Sequence, residues 1–97
     1  MRAANVDHLE DLRRAKDVLK DTQVIINLDR FVDILARRRV LSVIDEREIR
    51  GKKAYRDKIE AIFEVLLGER ADDQYGHIIE TLREMDRSDI IEKIQEP

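Results

Sequence analysis

Very few residues in this chain can interrupt a helix. Proline occurs once among the 97 residues, at the last position, and glycine occurs three times. These two residue types end or bend helices more strongly than any others, and the turns between strands also depend on them. The chain is therefore expected to be all-α, with helices joined by short connections.

Apolar residues recur at intervals of three and four, which places them on one face of a helix. The pattern predicts amphipathic helices at about 7–22, 27–38, 43–50, 54–67, 73–85 and 89–95. Asn27 and Ser42 are plausible N-caps of the second and third helices. Gly51 is expected to end the third helix at the C′ position. The prediction is a six-helix antiparallel bundle that forms a single domain over residues 1–97.

The core is expected to be aliphatic, because aromatic residues make up only 4% of the chain and tryptophan is absent. Val24, Ile25 and Ile26 form a β-branched run that could pass for a short strand. The chain offers no partner strand for this run. We therefore expect it to form a buried turn between the first two helices.

Composition excludes several classes of protein. No run of about 18 apolar residues is present, so no membrane-spanning helix is expected. The absence of cysteine excludes a disulfide scaffold and a thiol nucleophile, and it fits a reducing compartment. The first five residues lack the apolar segment of a signal peptide. The expectation is a small cytoplasmic domain without binding to membranes.

Catalytic, metal and nucleic-acid functions find little support in the sequence. His8 and His77 lie in different predicted helices without a metal-binding spacing, and the glycines are too scattered for a phosphate loop. We expect no enzyme activity, no metal and no cofactor. The triplet Arg37–Arg39 leaves one alternative, a small helical DNA-binding or regulatory domain. A pI near 5.4 and the lack of interleaved aromatic residues argue against nucleic-acid binding.

Three segments carry a resemblance to a known family, and they occur in the family's order. They are residues 32–42 (VDILARRRVLS), 55–59 (YRDKI) and 80–84 (ETLRE). The chain resembles the caspase recruitment domain (CARD) of the death-fold superfamily over nearly its whole length. Arg39 is a departure, since many members have glycine at that position. The resemblance implies a bundle of the death-fold, Greek-key type.

Opposite charges concentrate on different predicted helices. In the CARD family, basic residues of helices one and four meet acidic residues of helices two and three of the next molecule. By this resemblance, the basic patch consists of Arg13, Lys16, Lys53 and Arg56, and the acidic patch consists of Asp29, Asp33, Asp45 and Glu46. Glu60 stands where a second basic residue is common, and it is expected to pair with Arg56 one turn earlier.

The resemblance implies a homotypic interaction module for apoptotic or innate-immune signalling. Its partner would be another CARD-containing protein (a caspase, a sensor or an adaptor), or copies of the same chain. Two opposite patches on different faces are expected to pair between molecules rather than within one molecule. The simpler interpretation is an ordinary solvated surface, because a chain with 42% charged residues shows some patches in any case.

Overall fold

Six α-helices account for most of the chain that the computed structural model describes, residues 4–21, 23–68 and 71–95. They are α1 (Ala4–Lys20), α2 (Leu28–Arg37), α3 (Val43–Gly51), α4 (Tyr55–Leu66), α5 (Ala71–Glu84) and α6 (Ser88–Gln95). This part of the chain contains no strand. The predicted all-α six-helix bundle is therefore confirmed. Observed and predicted helix ends differ by at most three residues, and Thr22 lies outside the described residues.

The first helix packs against three other helices of the bundle. It contacts α4, α5 and α6, while α2 contacts α3 and α5, α3 contacts α4, and α5 contacts α6. The radius of gyration is 12.7 Å, close to the value of about 13 Å that a folded domain of this size has. The packing of α1 against α4 is the contact that joins the two predicted halves of the basic patch.

The core is aliphatic, as the composition predicted. Its fully buried members include Leu12 and Leu19 of α1, Leu35 of α2, Ile59, Ile62 and Leu66 of α4, Ile78 and Leu82 of α5, and Ile90 and Ile94 of α6. Phe31 and Phe63 are the aromatic side chains among the buried residues. Each large aliphatic side chain that leaves water stabilises the fold by about 1.5–3 kcal/mol. The helical stripes in the sequence therefore correctly identify the faces that pack inward.

In the connection between α1 and α2, two of the three β-branched residues are buried and the third is exposed. Val24 and Ile26 are each 4% exposed, whereas Ile25 is 66% exposed. The Ile26 N–H donates to the hydroxyl of Tyr55 at 3.0 Å, and the Ile25 carbonyl accepts from the Arg87 guanidinium at 2.6 Å. These bonds tie the connection to the bundle, and the expectation that Ile25 is buried is wrong.

Both predicted N-caps are confirmed. The Asn27 side-chain oxygen accepts a hydrogen bond from the Arg30 N–H at 3.2 Å. Ser42 Oγ accepts from the Asp45 N–H at 3.1 Å, and the Asp45 carboxylate accepts from the Ser42 N–H at 3.2 Å. This reciprocal pair is a capping box, which satisfies two backbone donors at once.

The left-handed positions that end helices are occupied by charged residues. Arg39 has a φ of 66° after α2, and Asp86 has a φ of 64° after α5. At the first site, the N–H groups of Arg39 and Val40 donate to the carbonyls of Ala36 and Leu35, the pattern of a Schellman motif.

The expected role of Gly51 is wrong. No glycine in the described part of the chain has a positive φ. Gly51 is the last residue of α3, and Lys52 is the C-cap. The Lys52 N–H donates to the carbonyl of Ile49 at 3.1 Å. The third helix thus ends without the left-handed residue for which glycine is normally chosen.

Candidate interaction surfaces

The members of the basic patch differ in whether their charges are paired within the molecule. Arg13 is an exposed residue of α1, and its guanidinium lies 3.7 Å from the carboxylate of Glu10. Arg56 lies in the first turn of α4, and Lys53 precedes that helix by two residues. Both are exposed, and neither has an ion pair or side-chain hydrogen bond within the described part of the chain. Lys53 and Arg56 are therefore the available cations of the patch.

Lys16, the fourth member of the basic patch, is held by an acidic residue of the neighbouring helix. Its Nζ lies 2.8 Å from Oε1 of Glu60, and Nζ of Lys20 contacts Oε2 of the same carboxylate. The hydrogen bond from Lys16, followed in importance by the one from Lys20, lowers the pKa of Glu60 to about 2. The expected pair between Glu60 and Arg56 is not formed, because the packing of α1 against α4 brings two lysines to this carboxylate.

Three members of the acidic patch contact one arginine, Arg50. This cluster was not predicted from the sequence. The Arg50 guanidinium lies 3.8 Å from the Asp29 carboxylate and 3.0 Å from that of Glu46, and it also contacts Asp33. Burial acts to lower the pKa of Arg50, but the hydrogen bonds to Asp33 and Glu46 outweigh it and raise that pKa. The pair Glu46 and Arg50 has the i,i+4 spacing, which is the sequence signal that could have found it.

The acidic patch keeps a net negative charge in spite of this arginine. One guanidinium faces three carboxylates, and the side chains of Asp29 and Asp33 remain 77% and 66% exposed. Asp45, the fourth member, is used in the capping box of α3. Part of this surface therefore remains open to an external cation.

Each patch thus contains its own counter-charge. Glu60 lies among the cations of α1, and Arg50 lies among the anions of α2 and α3. These counter-charges come from outside the two predicted patches, and within the described residues no member of one patch pairs with a member of the other. Pairing within a patch reduces its net charge, but it leaves exposed residues of both signs on different helices.

The fourth helix is not uniformly basic. A groove of about 510 Å³ runs between α3 and α4, with Ile49, Ala61 and Val65 as apolar lining. Its acidic residues are Asp45, Glu48, Asp57, Glu60 and Glu64. The positive character of α4 is therefore confined to its first turn and the residues just before it.

Two exposed aliphatic residues adjoin the acidic patch. Val43 and Ile44 open α3 and are 72% and 73% exposed. Ile49 is the buried residue of this helix, and positions five and six residues before it fall on a different face. That offset is the sequence signal for their exposure, and it adds an apolar element to this surface.

The arginine triplet is partly neutralised by the fifth helix. The carboxylate of Glu84 lies 2.9 Å from the guanidinium of Arg37 and 3.5 Å from that of Arg38. Arg39 is exposed and has no ion pair in the described part of the chain. Two of the three cations that suggested a DNA-binding edge thus have an intramolecular partner.

No group of three His, Cys, Asp or Glu side chains among the described residues is placed to hold a metal ion. No helix in the described ranges combines the length and apolar character that a bilayer crossing requires. No family model matches the chain, and neither a curated protein nor a solved structure does.

Proposed function

We propose that this chain is a death-fold interaction module of the CARD type, acting in the cytoplasm. It associates with another such module or with copies of itself, and it performs no chemistry. The observation that carries the proposal is the separation of available charge on one small bundle. Arg56 and Lys53 are exposed cations in the first turn of α4 and just before it, while the patch on α2 and α3 stays net acidic with Asp29 and Asp33 exposed.

Such a distribution favours head-to-tail association. A basic surface on one side of a molecule and an acidic surface on another form a heterologous contact, which adds molecules without closing. Charge complementarity of this kind governs partner choice and encounter rate more than affinity. Since the charges are near the surface, added salt should weaken the association.

The biological consequence is an increase in local concentration. A module of this kind brings an attached effector close to its neighbours, which promotes reactions between the attached parts. The effector would be a caspase, a nucleotide-binding sensor or an adaptor segment outside these residues. The setting would be apoptotic or innate-immune signalling.

Reversal of the Arg56 charge tests this proposal. Arg56→Glu should weaken self-association at least tenfold at low salt, because a like charge would then face the acidic patch. Its melting temperature should stay close to that of the wild type, since Arg56 has no ion pair within the described residues. Light scattering over a concentration series measures the association.

Lys93→Glu is the matched control. Lys93 is an exposed residue of α6 without an ion pair in the described part of the chain, so the change in charge is the same on a different helix. The control should associate as the wild type does. Equal association of Arg56→Glu and Lys93→Glu would contradict the proposed role of the basic patch.

A further inference from the structure

Two lysines of α1 gather around a single carboxylate of α4. Nζ of Lys16 lies 2.8 Å from one oxygen of Glu60, and Nζ of Lys20 contacts the other oxygen. The lysine side chains are only 26% and 22% exposed, although an ammonium group on a flexible stem normally extends into water. Glu60 itself is 45% exposed, so the cluster lies at the surface of the bundle.

We propose that Glu60 determines the specificity of the basic patch. Its carboxylate occupies the position between Lys16 and Lys20 that a carboxylate of the partner would otherwise take. This inference rests on the proposed function, because it concerns the surface through which the module associates. The patch then selects partners through Lys53 and Arg56, whose charges remain accessible.

The physical basis is competition between an internal and an external anion. An intramolecular carboxylate is present at a high effective concentration, so a partner must displace it to reach the lysines. The ionised form of Glu60 persists at neutral pH, because hydrogen bonds from Lys16 and Lys20 hold its pKa at about 2. Glu60 also presents a negative charge to any approaching anion. Both effects weaken the contact with an acidic partner.

The same helix provides a matched control for the charge. Glu64 lies one turn after Glu60 and is exposed, and within the described residues it has no ion pair. Both residues line the groove between α3 and α4. Conversion of either one to glutamine therefore removes one negative charge from α4, but only Glu60→Gln releases the two lysines.

The test compares the self-association of Glu60→Gln, Glu64→Gln and the wild-type chain by light scattering at several salt concentrations. Glu60→Gln should associate at a concentration roughly fivefold lower than the wild type, a modest change because the pair is at the surface and screened by solvent. Glu64→Gln should change this concentration by less than about twofold. Association of Glu60→Gln should also fall more steeply with salt, because more cations take part.

The outcomes separate this inference from the proposed function. If Glu60→Gln and Glu64→Gln associate alike while Arg56→Glu still prevents association, the role of Glu60 is overturned and the proposed function stands. Weaker association of Glu60→Gln, with a lower melting temperature, would mean that Glu60 only fastens α1 to α4, and it would also overturn the inference. If no variant and no wild-type sample associates, the proposed function fails and the inference fails with it.

Discussion

Arg39 adopts a backbone conformation that its own side chain disfavours. Its φ of 66° lies in the left-handed region, where the Cβ of an L-residue crowds the following carbonyl at a cost of roughly 1–2 kcal/mol. The Schellman motif at the end of α2 requires this conformation, since the N–H of Val40 must reach the carbonyl of Leu35. Within the described part of the chain, the Arg39 side chain has no ion pair to offset the cost.

Arg39→Gly should therefore stabilise the protein. Glycine adopts positive φ without strain, and part of the gain is lost to the greater freedom of glycine in the unfolded chain. We expect a net stabilisation of roughly 0.5–1 kcal/mol, or a rise of several degrees in the melting temperature. Arg39→Ala keeps the Cβ and should give no such rise. A gain shared by both variants would show that the side chain, rather than the backbone, is responsible.

The ion-pair partners of an individual charged residue, Glu60, could not be predicted from the sequence. The i,i+4 rule assigned Glu60 to Arg56, because the rule considers one helix at a time. The actual partners, Lys16 and Lys20, lie 40 or more positions away along the chain and are brought near by the packing of α1 on α4. A contact of this kind depends on tertiary structure, which no local pattern contains.

The third helix is the least firmly held element of the bundle by burial. Ile49 is its one buried residue among those described, whereas α2 buries five. The capping box of Ser42 and Asp45 begins the helix, and Arg50 ties its last turn to α2. Polar contacts at both ends of α3 therefore supplement the packing of its single buried side chain.

Ser42→Ala should destabilise the protein through this helix. Loss of an N-cap acceptor costs about 1 kcal/mol in most proteins, and α3 has little buried surface to offset the loss. Hydrogen exchange should accelerate first at the N–H groups of Asp45 and Glu46, since the Ser42 side chain and carbonyl respectively accept from them. Ser42→Asn keeps an acceptor and should restore most of the protection. Unchanged exchange in Ser42→Ala would contradict the role assigned to the cap.

Whole helices were predicted more accurately than their ends or their exposed faces. Apolar stripes with three or more buried residues fix α2, α4 and α6, because only one face of each can be buried and the spacing identifies it. The short α3 carries too few buried residues to define a stripe, so its exposed Val43 and Ile44 were not expected. The exposure of Ile25 was not predicted, because the sequence of a β-branched run outside a helix does not show which residue faces solvent.

The near balance of basic and acidic residues in the sequence does not show how their charges are arranged in the folded molecule. The chain contains 19 basic and 22 acidic residues, and much of this charge is paired locally, as around Glu60 and Arg50. The charges that remain accessible belong to different elements: Arg56 and Lys53 to the start of α4 and the residues just before it, Asp29 and Asp33 to α2. If association is head to tail, each of these two surfaces is needed once in every contact.

The central claim can be tested by mixing two chains, each with one surface disabled. Arg56→Glu retains the acidic patch, and Asp33→Arg retains the basic patch. Asp33→Arg and a second variant of the same patch, Asp29→Arg, each lose a contact with Arg50, so the fold of both is checked by circular dichroism. The measurement is the mass of each chain alone and of the equimolar mixture, by light scattering at low salt.

Head-to-tail association predicts that each variant alone is monomeric and that the mixture associates, at least as far as a one-to-one complex. The complex grows further only if the two substituted surfaces, whose introduced charges are opposite in sign, pair with each other. A mixture that contains only monomers, although wild-type chains associate, would contradict the pairing of these two patches. Variants that each assemble alone as the wild type does would show that association uses another surface.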